Sequence, residues 1–572
     1  MADAGGLPPT TTWTTPPPPP PPAAPEASVR PGRAKRFLIA GLAAVVVAAA
    51  TAGGIIGFRL LRGSADSLVG MAPSDTVVYV NVHLDPSAGQ KLAVNTLLDK
   101  FPSLSGSARD NTINGWIDQA LQGTGLNHSD VRSWLGSDIS FVVPASAFTQ
   151  GSADAAVLLA STNDTAAQAA VEKLRQGGSG APAGQWTTST YNGVTLYQAS
   201  GGAHDGVYAV ANHTLVIGGT PAVVHEVIDT TQGKHARLES SGTYSKSVGE
   251  VTGDRIGLVY ADVGTIAQQA LKTLGTIGGS QPSLDALKAY GGAAVAISAH
   301  NDGVSVDGVA DFDPSKLTDA ERAQATMPPH VNGSVAYMPK SAYAALAATG
   351  LKQTVQSLVD QAGSAGGIFG LGMLLQQLGL TGPNSIVDHL TGDGGAELAP
   401  VSSGSTPGGA VVVGTDSQSA AEQFVGNLVQ SVCGGTCDTS QVTRQDDAGV
   451  VISSLREVSS GLAPSWAVDH GWIIVGSSAE QVKAAVDAHR SGTTLSSSPD
   501  YQAVMSHVGT SNNGMAYVDI QALLGAIRTS LSPGEQSSFD STVATLKPVH
   551  AAGLATRNSS DHVSISVFTL VR

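Results

Sequence analysis

Two short motifs carry side chains that could do chemistry. His225-Glu226-Val-Ile-Asp229 begins like the helix in which two histidines four residues apart bind zinc, but its fifth residue is Asp rather than His. Gly177-Gly-Ser179-Gly-Ala181 approaches the pattern that surrounds a nucleophilic serine, yet its glycine and alanine context is typical of a loop. We expect a surface helix at the first motif and a flexible loop at the second.

An acidic segment suggests calcium, whose preferred ligands are carboxylate oxygens. Asp302, Asp307, Asp311 and Asp313 lie close together in the chain. The apolar residues between them alternate with the acids, as they do along a half-buried strand. The pattern therefore favours a strand with a solvated acidic face over a calcium site.

The chain has two cysteines, Cys433 and Cys437, with Gly-Gly-Thr between them. A redox dithiol has two residues between its cysteines, so three favour a small structural disulfide that closes a loop. Two cysteines cannot form a disulfide framework or a four-cysteine zinc site. We found no constellation that identifies a catalytic residue, a metal site or a cofactor, and we expect the protein not to be an enzyme.

Composition narrows the class of protein. The 572 residues carry a formal charge of −15, and only 13% are charged. Without a long basic stretch, this charge argues against nucleic-acid binding. Apolar residues make up 42%, enough to build cores in several domains. The composition fits a folded protein, and does not by itself specify a biochemical activity.

The N-terminus is rich in proline and includes the unbroken run Pro16–Pro22. Such a run lacks N–H donors and is expected to form an extended polyproline II segment. We predict that residues 1–36 are a disordered tail. The proline run is either a solvated spacer or a docking site for a protein partner with an aromatic groove.

A membrane anchor follows the tail. Residues 37–58 contain no charge and would span about 33 Å as a helix, which matches the hydrocarbon core of a bilayer. The basic residues before the segment outnumber those after it, which places the N-terminus in the cytoplasm and the rest of the chain outside it. These flanking residues are Arg30, Arg33, Lys35 and Arg36 on one side and Arg59 and Arg62 on the other.

A cleaved signal peptide is the alternative, since small residues at Ala48, Ala50 and Ala52 could form a cleavage site. The long leader and the continuation of the apolar run to Phe58 favour an anchor instead. Beyond the anchor, residues 59–572 keep 26 of the 30 basic and 43 of the 45 acidic residues, a formal charge of −17. An acidic ectodomain stays soluble and is repelled by anionic headgroups.

The rest of the chain is predicted to be an internal duplication. Gly257-Leu-Val-Tyr260 resembles Gly514-Met-Ala-Tyr517, and Ala156–Ser161 resembles Ala410–Thr415. Thr76-Val-Val-Tyr79 is likewise aligned with Ser334-Val-Ala-Tyr337. We read each recurrent tyrosine as a buried ring whose hydroxyl reaches water.

Each copy is expected to be an α+β module with a mostly antiparallel sheet. Alternating apolar residues predict a strand over residues 78–84, and helical spacing appears at 166–174 and 420–432. Tyr191-Asn-Gly193 and Asp447-Ala-Gly449 predict hairpin turns. We expect a juxtamembrane linker at 59–73, a first module at 74–327 and a second at 328–572.

Several of these motifs resemble domain-of-unknown-function family 3352. They are Pro73-Ser-Asp-Thr-Val-Val-Tyr-Val80, Leu84-Asp-Pro-Ser-Ala-Gly-Gln-Lys-Leu92, Phe101-Pro102 and Trp134-Leu-Gly-Ser-Asp138. The resemblance implies a membrane-anchored, exported bacterial protein and no known activity or cofactor. The second copy departs from the motif, because in this alignment Pro339 and Lys340 replace Asn81 and Val82.

Residues 366–375, an apolar glycine-rich segment, have no similar counterpart in the first copy. They are expected to form a buried helix or inter-module contact, or alternatively a membrane-touching or ligand-gating loop. We expect a cell-envelope scaffold or interaction protein, with an extracytoplasmic binder of an apolar ligand or lipid as the alternative. A hydrolase with widely separated catalytic residues is the third hypothesis.

Overall fold

The structure is a computed structural model of the 572-residue chain. It describes residues 66–572 except 106–109, 112–113, 116, 120, 122–125, 150–153, 177–184, 202–204, 275–288, 365–379, 382–384, 401–407, 433–441 and 457–462. The proline-rich tail, residues 37–58 and their basic flanks lie outside the described residues. So do the Gly177–Ala181 motif, residues 366–375 and both cysteines.

The first half of the described chain carries ten strands. They are β1 (Thr76–His83), β2 (Leu135–Pro144), β3 (Ala156–Ser161), β4 (Gln185–Tyr191), β5 (Val194–Ser200), β6 (Gly206–Ala211), β7 (Thr214–Gly218), β8 (Gly257–Asp262), β9 (Tyr290–His300) and β10 (Gly303–Phe312). Its helices are α1 (Ala88–Asp99), α2 (His128–Arg132), α3 (Ser146–Thr149), α4 (Asp164–Arg175), α5 (Pro221–Thr231), α6 (Gly242–Glu250), α7 (Val263–Leu274) and α8 (Asp319–Ala325).

The second half carries ten more. They are β11 (Ala344–Ala348), β12 (Leu390–Ala399), β13 (Gly408–Thr415), β14 (Val442–Asp447), β15 (Val450–Leu455), β16 (Ser465–Asp469), β17 (Trp472–Gly476), β18 (Gly514–Asp519), β19 (Val549–Asn558) and β20 (His562–Val571). Its helices are α9 (Leu351–Ser364), α10 (Ile386–His389), α11 (Gln418–Val432), α12 (Ala479–Ser491), α13 (Pro499–Val508), α14 (Ile520–Ser530) and α15 (Pro533–Val543).

All twenty strands belong to one antiparallel sheet. The pairings of the first half run β4-β5-β6-β7-β3-β2-β1-β8-β9-β10. Those of the second half run β14-β15-β16-β17-β13-β12-β11-β18-β19-β20, which is the same order. The expected mixture of helices with a mostly antiparallel sheet is confirmed.

The two halves join where β10 pairs with β20. Gly303 lies opposite Leu570, and Asp311 lies opposite His562. A shift of 259 residues along the chain takes Gly303 to His562 and Asp311 to Leu570, so it converts each pair into the other. Asp307 faces Ser566 at the centre of this pairing. The register therefore has a pseudo-twofold axis through the Asp307–Ser566 pair.

Helices cover one face of the sheet, which we call the inner face, in both halves. Helix α5 buries Val224 and Ile228 against Leu158, and α6 adds Tyr244 to the same cluster. In the second half α12 packs on Val412 and Ile474. Helix α13 packs on Phe568. Each large apolar side chain buried here contributes about 1.5–3 kcal/mol.

The opposite, outer face is covered in part. Helix α1 packs over Ile297 and Val304 on this face. Helix α4 lies over the peripheral strands of the first half, and α11 lies over those of the second half. Directly opposite residues of paired strands share a face. One such row crosses eight neighbouring strands and is apolar throughout: Val475, Val411, Ala396, Leu346, Ala516, Leu554, Val567 and Val306.

Local sequence signals account for several elements. The expected strand at 78–84 is β1, and the expected helices are α4 and α11. Positive φ angles at Asn192 and Gly193, and at Ala448 and Gly449, confirm the two predicted hairpin turns. Ser87 caps α1 through the Gln90 amide.

The alignment of Tyr79 with Tyr337 is wrong. Tyr337 ends a 3-10 helix (Gly333–Tyr337), and the strand that matches β1 is β11. Bridges from Pro73 to Arg237 and from Pro339 to Thr494 align Pro73 with Pro339 instead. The offset at the start of the second half is thus 266 residues, larger than in the rest of the repeat.

Three further expectations need correction. Leu68 and Met71, within the expected linker, are buried, so this part of the expected linker belongs to the folded body. Asp311 is buried beneath α6, where it accepts a hydrogen bond from Ser247, and so does not lie on a solvated face. The hydroxyl of Tyr79 is buried with its ring and hydrogen-bonds Asp66, because a protein acceptor takes the place of water.

Candidate functional site

An open apolar patch lies on the outer face of the second half. It consists of Leu346 on β11, Leu398 on β12 and Val411 on β13, which are 59%, 36% and 48% exposed. Ala396 lies between Leu346 and Val411 in the same row. An antiparallel sheet normally turns polar residues to water on its open face, so this patch is a candidate binding surface.

The first half buries two of the three equivalent positions and partly covers the third. Strand pairing aligns Val80 with Leu346, Val143 with Leu398 and Val157 with Val411. Val143 and Val157 are only 9% and 6% exposed.

Two helices and an aromatic ring account for the cover in the first half. Val143 clusters with Ala147 of α3, and Ile266 of α7 packs against that cluster. Phe141 packs there too and occupies the position of Ala396, whose side chain is much smaller. The patch thus differs from its counterpart in the packing above the sheet and in the bulk of one side chain.

Within the described residues, two helices of the second half pack on this face beside the patch. Leu351 of α9 lies against Gly394, close enough that a Cβ on this glycine would be 2.8 Å from it. On the other side, α11 packs over Val413 and Ile473. The patch lies between these two covered regions, on the central strands of the half.

A buried carboxyl lies beneath the patch. Glu397 precedes Leu398 on β12 and points to the inner face, where it is 5% exposed. Neither carboxyl oxygen has a hydrogen-bond partner within the described residues. Burial raises the pKa of Glu397 to about 8, so the group is mostly protonated at neutral pH. Val142 occupies this position in the first half.

The first half has a polar cluster at its core instead. The Asp66 carboxylate accepts hydrogen bonds from the Tyr79 hydroxyl at 2.7 Å and the Asn81 amide at 3.1 Å. It also accepts hydrogen bonds from the backbone amides of Leu68 and Val69, at the start of the 3-10 helix Val69–Met71. Burial raises the pKa of Asp66. These hydrogen bonds connect Asp66 and the 3-10 helix that follows it to β1.

Asp138 extends the cluster on β2. It is fully buried and lies 2.6 Å from His83 Nδ1, while the hydroxyls of Ser67 and Ser137 donate to it. Burial acts to raise the pKa of Asp138, but these hydrogen bonds outweigh burial and hold it below its usual value. All of these hydrogen bonds join residues of the same folded chain, so the cluster is an internal part of the core.

The His225 motif does not converge on a metal site. The His225 ring stacks on Tyr191 at 3.6 Å between centroids. Glu226 accepts from Ser146, and Asp229 accepts from the Tyr191 hydroxyl. These three side chains contact Tyr191 and Ser146 and not one another, which agrees with the expected surface helix.

The patch is not among the features that the sequence predicts. Alternation predicts that the apolar residues of a strand are buried, whereas Val306 and the residues in its row lie on the partly open outer face. One signal was available. Strand β11 reads Ala-Ala-Leu-Ala-Ala, which is apolar on both faces.

Among the helices that the structure describes, none has the length and apolar composition needed to cross a bilayer. Residues 37–58 are not part of this set.

Comparisons with known proteins give a family and a weak structural likeness. No curated protein matches the chain. Crystal forms IV and III of TP0453 match with 11% and 13% identity, over 43% and 47% of this chain and 81% and 90% of theirs. Their TM-scores are 0.23 and 0.24, too low for any inference about this chain. The model of a protein family of unknown function, DUF3352, matches residues 37–564. The chain therefore belongs to the DUF3352 family.

Proposed function

We propose that this protein is a single-pass membrane-anchored interaction protein of the cell envelope, which acts by binding and not by catalysis. The open apolar patch of Leu346, Leu398 and Val411 carries the proposal. The first half buries two of the equivalent positions, Val143 and Val157, so the exposure of these positions in the second half leaves an apolar surface open to a partner. Such patches on a folded protein mark sites of association.

The occupant that fits best is a protein partner with an apolar helix or loop. In the first half, α3 and α7 provide this kind of cover through Ala147 and Ile266. A partner element placed over Leu346 and Val411 would reproduce that packing, with Ala396 leaving room between them. A flat sheet face suits such an element better than it suits an enclosed small ligand.

The anchor is proposed from the sequence of residues 37–58 and their basic flanks. In this arrangement the N-terminus is cytoplasmic, and the Pro16–Pro22 run is available to a cytoplasmic protein partner. Seven residues separate Phe58 from Asp66, whose carboxylate is bound to β1. An extended chain of this length spans at most about 28 Å, so the folded body would stay near the bilayer.

We also propose that the two halves are tandem copies of one module, near residues 74–327 and 328–572. The identical order of ten strands in each half supports this proposal. The hairpin at the edge of the sheet is β4–β5 in the first half and β14–β15 in the second, and it makes different contacts in the two halves. Tyr191 donates a hydrogen bond to Asp229 in the first half, and Asp447 pairs with Lys483 in the second.

A binder of an apolar ligand or lipid is the second candidate, because the patch lacks charged side chains and could equally contact acyl chains. The two candidates differ in what they bring to the patch. A protein partner crosslinks to it as a polypeptide, whereas a lipid copurifies with the chain and leaves no protein adduct.

The test places a photo-reactive amino acid at Leu346 in the full-length protein in its native membrane. A protein adduct at this position that is lost in the Val411→Asp variant supports the proposal. The matched control is a probe at Val451 with the same Val411→Asp change, because Val451 is 50% exposed but lies on the peripheral strand β15. Copurified lipid without a protein adduct would favour the second candidate, and equal adducts at both positions would contradict a specific patch.

Topology is tested separately. Protease added to intact cells should cleave within residues 66–572 and leave the N-terminal tail protected. Protection of the folded body in intact cells, with cleavage only after lysis, would contradict the proposed orientation.

A further inference from the structure

We propose that Asp469, His470 and His489 form a binding site for one zinc ion. Asp469 ends β16, His470 follows in the turn to β17, and His489 lies near the end of α12. One ligand atom from each residue lies within 4.8 Å of the others. Two imidazoles and a carboxylate are a ligand set that zinc favours.

Tyr337 holds two of the three ligands in place. Its hydroxyl donates to Asp469 Oδ2 at 3.2 Å, and its ring stacks on that of His489 with 4.2 Å between centroids. Asp469 is buried, whereas both histidines are exposed and can adjust. Contacts that orient ligands in this way are a regular feature of metal sites.

The backbone presents the third ligand. His470 has a φ of 47°, in the left-handed region, because it occupies a tight hairpin turn before Gly471. This conformation keeps His470 Nδ1 at 2.5 Å from Asp469 Oδ1. Zinc bound at Nδ1 would replace this hydrogen bond, and the neutral imidazole would then carry its one proton on Nε2.

Nearby positive charge does not oppose the site strongly. Arg490 follows His489, but its guanidinium group is bound by Asp447 at 2.6 Å and Asp487 at 2.9 Å. Three protein ligands leave a fourth position of a tetrahedral ion for water or a partner's side chain. The bound ion would tie the β16–β17 turn to the end of α12.

The first half supplies a natural comparison. The equivalent residues there are Ala211, Asn212 and Thr231, as the pairing of β6 with β7 and the start of α5 show. Asn212 has the same φ of 47° as His470. His470→Asn and His489→Thr are therefore changes that the same frame already accommodates.

The experiment measures zinc bound at equilibrium by tag-free full-length protein in detergent, with cobalt as a spectroscopic probe of coordination. We expect one zinc ion per chain and a tetrahedral cobalt spectrum. Each of His470→Asn and His489→Thr should weaken binding by at least ~10-fold, since loss of a residue that only hydrogen-bonds a metal ligand already costs this much.

The control is His213→Asn, which removes the exposed His213–Asp164 pair at the equivalent hairpin of the first half. It should leave zinc binding unchanged. Circular dichroism of each variant separates lost ligation from lost folding. Failure of the wild-type chain to bind zinc, or unchanged binding in both folded site variants, would overturn the proposal.

Discussion

Val157 and Val411 occupy the same position in the two halves of one sheet, yet Val157 is 6% exposed and Val411 is 48% exposed. The residues are identical and their strands pair alike. Val157 lies opposite Phe141 of β2, which packs in a cluster with Ala147 of α3 and Ile266 of α7. Val411, in contrast, lies opposite the smaller Ala396. A matched pair of substitutions can therefore separate packing from binding.

Aspartate at these two positions should have opposite consequences. Val157→Asp would bury a charge and should destabilise the fold by about 3 kcal/mol or more. Val411→Asp should change stability by less than about 0.5 kcal/mol and abolish the proposed partner contact. Urea unfolding and photo-crosslinking measure the two effects, and a large loss of stability in Val411→Asp would show that the position is covered.

Glu397 should make stability depend on pH. In the unfolded chain its pKa is near 4.5, and in the folded protein burial raises it to about 8. Below pH 4.5 the group is neutral in both states. Between these values only the unfolded state loses the proton, so stability falls as pH rises, by an amount on the order of a few kcal/mol.

The control for this pH dependence is Glu397→Val, since Val142 fills the equivalent position. Urea midpoints measured from pH 4 to pH 9 should diverge from those of the wild type as pH rises. Parallel curves for the two proteins would show that Glu397 titrates normally in the folded state.

The Asp66 cluster should be sensitive to deletion of its carboxylate. Asp66→Ala leaves the buried groups of Tyr79 and Asn81 without this acceptor, and we expect a loss of about 2–4 kcal/mol. Asp313→Ala is the matched control, because Asp313 caps an exposed 3-10 helix through Ser315 and should cost about 1 kcal/mol or less. Equal losses in the two variants would contradict a special role for the cluster.

The junction between the halves should not tolerate a side chain at Gly303. A Cβ there would run into the Thr569 carbonyl and the Phe568 ring of β20. We expect Gly303→Ala to lower the thermal midpoint and to raise hydrogen exchange along β10 and β20. Gly426→Ala, with open space around it on α11, should be neutral or slightly stabilising. Normal protection of both strands in Gly303→Ala would show that the junction can adjust.

Predictions from the sequence are confirmed where the signal is local. Strand β1, helices α4 and α11, and the turns at Gly193 and Gly449 each depend on a few neighbouring residues, and all were predicted. The alignment of Tyr79 with Tyr337 is wrong, because the short Val-x-Tyr similarity does not reveal that Tyr337 ends a 3-10 helix or that Pro339 forms the bridge equivalent to that of Pro73. The predicted exposure of Asp311 is wrong as well, since alternation shows that a strand has two faces but not which face a helix covers.

The sequence alone was enough to predict the internal similarity and the local elements, and to define the uncharged segment at 37–58. Only the tertiary structure decided that β10 pairs with β20, that Leu346 and Val411 stay open, and that Asp469 meets His489. Local signals act through the hydrogen bonds and periodicity of adjacent residues. Exposure and convergence depend on what packs across long separations in the chain, which residue type by itself does not specify.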